Sequence, residues 1–205
     1  MIDREQFKEK KLIAFDLFGT CIDHHSKMIR IPREFKDILT TNPITIEEAK
    51  EKFWERYEIS DEIIENVRRD IEWTFLFPET LEILKYIKSK WYKIAVVSNL
   101  WKDYEEPLHR LIPEWIFDYE VLSFDVRARK PDPKIYEYLK SLSWVDFKDI
   151  IMIWDSLKAD VLWPNSVWIT PIHLNRGEEW WIKEVKKLWI DFVQISTLAD
   201  LKEIL

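Results

Sequence analysis

Six short apolar runs, rich in β-branched residues, alternate along this chain with amphipathic helical patterns, and that alternation narrows the possible folds more than any other feature. The runs are Leu12 to Phe18, Ile94 to Val97, Tyr119 to Leu122, Ile150 to Ile153, Val167 to Thr170 and Phe192 to Ile195. A short run without polar alternation suits a strand buried on both faces, and such strands belong to parallel sheets. Helical patterns fall between them at Pro78 to Lys90, Asp103 to Leu111, Pro133 to Ser141, Ser156 to Leu162, Ile182 to Leu188 and Thr197 to Leu205. The expected fold is α/β, a doubly wound parallel sheet with helices on both faces.

One block breaks the alternation. From Asp23 to about Phe77 no strand is expected, while helical periodicity appears at Ile46 to Tyr57 and Glu62 to Trp73. Residues 23–77 are therefore expected to form an inserted helical cap, with 1–22 and 78–205 as the core domain. A chain of 205 residues is long enough for that arrangement. Its formal charge of -7 argues against a nucleic-acid partner, which calls for clustered Lys and Arg. Cys21 is alone, so an intrachain disulfide is not expected, and Met1 to Lys11 is charged rather than an apolar leader. No stretch approaches the roughly 18 consecutive apolar residues of a membrane helix. A cytoplasmic protein, monomer or homodimer, with no membrane or nucleic-acid partner is expected.

In open α/β sheets ligands bind at the carboxyl ends of the strands. The first strand runs into Asp16-Leu17-Phe18-Gly19-Thr20, the second into Ser98-Asn99 and the fourth into Asp155-Ser156-Leu157-Lys158-Ala159-Asp160, while Lys130-Pro131-Asp132-Pro133 precedes a helix. Taken singly, an Asp ending a strand is more often a helix cap, a Lys a solvated charge and Ser-Asn a turn. Together, carboxylates, a lysine and hydroxyls at one sheet edge suit a hard cation such as Mg²⁺ and a phosphate.

In order and spacing these segments resemble the four motifs of the haloacid dehalogenase-like (HAD) hydrolases, whose core is a Rossmann-like sheet and which often carry a helical cap between the first two motifs. The resemblance implies that Asp16 is a nucleophile attacking phosphorus to give an aspartyl-phosphate that water hydrolyses. It implies Mg²⁺ held by Asp16, Asp155 and the backbone carbonyl of Phe18, with Asp160 shaping the metal's surroundings. Thr20, Ser98 and Asn99 would bind the phosphoryl group of a small phosphorylated substrate, and Lys130 would neutralise its developing charge and orient Asp16.

The sequence departs from that pattern at Phe18. Phosphatases of the family carry there a second Asp that protonates the leaving alkoxide, which a phenyl ring cannot do. Two alternatives follow. One is a 2-haloacid dehalogenase-like enzyme using Asp16 without metal, a reading that Tyr136, six residues after Lys130, fits and the retained Asp155 opposes; Tyr136 equally suits helix packing. The other is a weak or inactive HAD-like binding domain. Of the remaining candidates, Asp23 and Asp132 could replace the missing acid, and Arg30, Arg33, Arg127 and Arg129 could meet an anionic substrate. His24 and His25 follow the first motif, whereas His109 and His173 lack metal-ligand spacing.

Glycine is scarce. Average usage predicts about 14, but the chain has 2 Gly and 12 Trp. Trp91 and Trp189 follow helices where a left-handed glycine would end them. Trp154 and Trp163 stand where the family has glycine beside the fourth motif, and Trp115, Trp144, Trp168, Trp180 and Trp181 read as loop or turn glycines. The expectation is that these codons are UGA, read as Gly in the source organism, as some bacterial lineages do.

Overall fold

Apolar residues fill Leu12–Phe15 and leave it no solvent face, so it becomes β1, a central strand. A computed structural model of the chain describes residues 7, 9–23, 29–155, 168–177 and 193–205. Five further strands complete the main sheet: β4 (Lys93–Ser98), β5 (Tyr119–Leu122), β6 (Ile150–Trp154), β7 (Thr170–Leu174) and β8 (Val193–Ile195). The order is β5-β4-β1-β6-β7-β8 and every pairing in it is parallel. Phe15 pairs with Val96 on one side and Ile153 on the other, which sets Asp16, Ser98 and Asp155 along one sheet edge.

Strand side chains alternate between the two faces. Ile13, Phe15, Val96 and Ile153 belong to one apolar core with Ile83, Leu84 and Ile87 of α4 (Thr80–Ser89). Leu12, Ala14, Val97 and Met152 belong to the other with Ile135, Tyr136 and Leu139 of α7 (Pro133–Ser143). The remaining core helices are α5 (Glu105–Leu111) and the single turn α6 (Ser123–Val126). The molecule is thus the expected Rossmann-like, doubly wound sheet. No described helix is long and apolar enough to cross a membrane.

Between β2 (Ile22–Asp23) and β3 (Phe75–Leu76) the chain makes α1 (Arg33–Thr41), α2 (Ile46–Lys52) and α3 (Asp61–Glu72). Thr45 and Glu48 form a reciprocal capping box on α2, and the Ser60 hydroxyl caps α3. Phe35, Leu39, Ile46 and Val67 bury themselves in the core that contains Phe15.

Four expectations need correction. β3 pairs antiparallel with β2 at the two ends of the insertion, so this block does contain a strand; two residues are too short for a periodic signal. The fifth core strand lies at Thr170–Leu174 rather than Val167 to Thr170. Pro171 is tolerated because β8 pairs only from Ile172 onward, and its missing N–H falls where β7 is still an edge. Thr197 to Leu205 forms a 3₁₀ segment, Leu198–Glu203, capped by Thr197 and Asp200. α2 stops at Lys52, well before Tyr57. The helices expected at Ser156 to Leu162 and Ile182 to Leu188, with Asp160, His24, His25, Trp163, Trp180, Trp181 and Trp189, lie outside the described residues.

Positive φ occurs at Gly19 and Gly177 and at four described non-glycine residues: Trp91 (67°), Arg127 (56°), Trp144 (59°) and Trp168 (72°). The three tryptophans are 93%, 93% and 80% exposed, so no packing holds their rings.

Candidate active site

Asp16 leaves β1 with its backbone N–H donating to the Ile153 carbonyl at 2.9 Å. Its side chain accepts from the Leu17 N–H at 2.7 Å and faces Lys130 Nζ, 2.7 Å from Oδ2. The Lys130 side chain is 1% exposed and that of Asp16 14%. An ion pair this shielded feels a lower dielectric than a surface pair, so each charge fixes the other's position.

Lys130 is placed by the second motif. Asn99 Nδ2 donates to the Lys130 carbonyl at 3.0 Å, and its Oδ1 accepts the Lys130 N–H at 2.7 Å. Both ends of that amide are therefore committed, which makes Asn99 a positioner of the lysine with one N–H left for a ligand. Ser98, the last residue of β4, is buried beside it.

The turn after Asp16 works only with glycine. Gly19 has φ of 77°, and a Cβ there would lie 2.1 Å from Asp155 Oδ2 and 2.5 Å from its Cγ. The Asp155 carboxylate thus rests on the first-motif backbone. Thr20 is fully buried, and its hydroxyl has no hydrogen-bond partner among the described residues. Such an orphan costs about 1–3 kcal/mol unless something completes it.

Two residues to which sequence reasoning gave no role sit behind this loop. His173 Nε2 donates to the Asp155 carbonyl at 3.2 Å, and burial pulls the His173 pKa below its ordinary value. Arg176 donates to the Thr20 carbonyl at 3.0 Å, pairs with Glu79 at 2.8 Å and stacks 3.5 Å over the Phe77 ring. Glu79 also accepts from the Thr197 hydroxyl at 3.0 Å. Arg176 therefore ties the turn after Asp16 to the chain returning from the insertion.

Asp16 and Asp155 are hard oxygen donors at the ends of the neighbouring strands β1 and β6, and with the Phe18 carbonyl they fit a cation that keeps several waters and binds phosphate. Mg²⁺ has those habits. Among the described residues no group of three or more His, Cys, Asp or Glu gathers as a metal site, and Asp160, the third carboxylate of the motif, lies outside them.

The Phe18 ring meets Tyr104 edge-on at 5.5 Å, and Tyr104 meets Trp101 at 5.6 Å. Over this wall opens a cavity of about 460 Å³, bordered by Arg30, Ile31, Lys36 and Asn99 among others. The other candidates go elsewhere. Asp132 caps α7 by accepting the Lys134 N–H, Asp23 lies in β2, Arg129 pairs with Asp37 and Arg127 is the left-handed cap of α6. Arg33 opens α1, His109 pairs with Glu120 at 3.0 Å, and Tyr136 is fully buried under the sheet.

Residues 10–162 match the haloacid dehalogenase-like hydrolase family. A glyceraldehyde 3-phosphate phosphatase from Methanothermobacter thermautotrophicus is 30% identical over 132 residues, 63% of this chain and 58% of that protein, so the alignment spans little more than half of the relative. A HAD family enzyme of Bacteroides thetaiotaomicron, solved with magnesium and inorganic phosphate, superposes with a TM-score of 0.65 at 18% identity, covering 88% of this chain and 100% of that one. A dehalogenase superposes with a TM-score of 0.71 at 18% identity, covering 97% and 98%. With the family match extending from the strand that presents Asp16 through the segment that presents Asp155, this chain belongs to the haloacid dehalogenase-like hydrolases.

Proposed function

We propose that this hydrolase is a Mg²⁺-dependent phosphatase acting on a small phosphorylated metabolite through an aspartyl-phosphate on Asp16. The observation that carries the reading is the shielded Asp16–Lys130 pair, with the Asp155 carboxylate seated against Gly19 on the same turn. The phosphatase relative supports the substrate class. Asp16 Oδ forms the new bond to phosphorus as the ester oxygen leaves, and water then attacks the phosphorus to free phosphate and restore the carboxylate. Lys130 orients Asp16 and faces the developing charge, and Ser98 and the Thr20 hydroxyl, which has no partner among the described residues, receive the phosphoryl oxygens. Asp16, Asp155, the Phe18 carbonyl and Asp160 would hold Mg²⁺, which when bound screens the phosphate's charge from the attacking carboxylate.

Phe18 supplies no proton, so leaving groups stable as anions are favoured over alkoxides. Phe18 also keeps the metal-free dehalogenase reading open, against which Asp155 stands: a second carboxylate beside Asp16 repels an incoming haloacid unless a cation lies between them. Phosphate release from an aryl phosphate, faster than from an alkyl phosphate, dependent on Mg²⁺ and abolished in Asp16→Asn, is the expected result. Halide release from a 2-haloacid without metal would install the second reading. Neither reaction would leave a binding domain.

Residues 23–77 form the cap in this reading, hinged on the β2–β3 pair. The tryptophan codons are read as glycine, for which the left-handed backbone at Trp91, Trp144 and Trp168 is the support. Assays accordingly use the protein with glycine at all twelve positions.

A further inference from the structure

The cavity over Phe18 has a one-sided charge. Among its described lining residues two are cations, Arg30 and Lys36, and none is acidic. The adjacent carboxylate, Asp37, is taken by Arg129, and neither Arg30 nor Lys36 has an ion pair with a described residue. Of the other polar groups on the wall, the Tyr104 hydroxyl donates to Asp70 at 2.7 Å, and Asn99 holds the Lys130 backbone with one amide N–H to spare. What remains for a ligand is an apolar surface of Phe18, Ile31 and Leu100 with two unneutralised cations above it. The volume, about 460 Å³, lies within the range of about 300–1,000 Å³ usual for small-molecule sites and exceeds what a phosphoryl group needs. Trp101 also borders the cavity, and Trp101→Gly widens it without altering its charge.

We propose that Arg30 and Lys36 form a second-anion subsite. The preferred substrate is a phosphomonoester whose leaving group carries a carboxylate or a further phosphate on a short apolar frame. The phosphoryl end sits at Asp16, so this identification of the substrate rests on the phosphatase reading; the subsite itself does not. Guanidinium takes either anion through paired hydrogen bonds, while the Lys36 ammonium adds a point charge.

Three aryl phosphates separate the possibilities: 4-methylphenyl phosphate, 4-carboxyphenyl phosphate and the 1,4-phenylene bisphosphate. With Mg²⁺, at least one of the two dianionic-plus probes is expected to exceed the methyl compound at least tenfold in kcat/KM, through KM, and the better of them names the anion. In Arg30→Gln/Lys36→Gln that preference is expected to fall at least tenfold, since a charge-assisted contact is worth about a factor of ten or more. Both side chains are exposed, so the double variant leaves the core intact. Calorimetric binding of 4-hydroxybenzoate to Asp16→Asn, with and without the two Gln substitutions, reads the subsite with no turnover. Turnover without an anion preference, or equal binding of 4-hydroxybenzoate in both backgrounds, overturns the subsite. Absence of all turnover with the binding difference intact overturns the phosphatase reading and leaves the subsite standing.

Discussion

Positive φ is costly for an L-residue because its Cβ crowds the neighbouring carbonyl, by about 1–2 kcal/mol. Trp91, Trp144 and Trp168 bear that cost with rings almost wholly in solvent, gaining no compensating burial. Glycine at each is expected to raise unfolding stability by about 1 kcal/mol, measured singly by urea titration. Stability that falls at the three exposed sites would mean tryptophan belongs there. Residue chemistry is where the sequence was most legible. Asp16, Ser98, Asn99 and Asp155 stand at strand ends, and topology alone brings strand ends together, with Lys130 in the loop ahead of α7. Arg176 and His173 were not legible, because one works through a carbonyl and the other behind one, and contacts to backbone leave no sequence spacing.

At the scale of elements, the junction of α4 and β4 shows how a helix is stopped and its chain returned to the sheet. The carboxylate of Asp118, just ahead of β5, accepts from Lys88 at 2.6 Å, from Lys93 at 3.0 Å and from the Ile94 N–H at 2.9 Å, spanning the turn that contains Trp91. Burial pushes its pKa up, but Lys88, the Ile94 N–H and Lys93 outweigh burial and hold it below the ordinary value. With the folded pKa depressed, the unfolded chain binds more protons in acid, so this contribution is full above about pH 4 and is lost as pH falls through the folded pKa. Asp118→Asn is expected to cost about 1–3 kcal/mol at pH 7, and the gap from the parent should close as urea titrations are taken below pH 4. A gap unchanged at pH 3 would contradict this. The sequence announced six strands and the helices α4, α5 and α7 through their periods. It missed β3 because two residues carry no period, misplaced β7 because Pro171 reads as a breaker, and overlooked α1, a nine-residue helix with no side-chain cap to mark its start.

For the whole molecule, the question is what the twelve tryptophans do together. Trp54, Trp73, Trp91, Trp115, Trp144 and Trp168 are all exposed by more than half, a load of apolar surface that favours self-association. Trp154 is the opposite case: fully buried on β6, with an indole N–H that has no hydrogen-bond partner among the described residues. That orphan costs about 1–3 kcal/mol, and left-handed strain adds about 1–2 kcal/mol at each of three sites. These costs are commensurate with the entire stability of a domain, about 5–15 kcal/mol. The chain made with tryptophan throughout is therefore expected to aggregate or to unfold at much lower urea than the chain with glycine, which should sediment as a monomer or dimer and unfold cooperatively. Intact mass of the protein from its own cells decides the cause independently, since each glycine in place of tryptophan removes an indole-bearing side chain. A native mass that retains all twelve, or equal solubility and equal urea midpoints for the two chains, would establish tryptophan as the working residue, and the strain at Trp91, Trp144 and Trp168 would then be a cost this fold sustains.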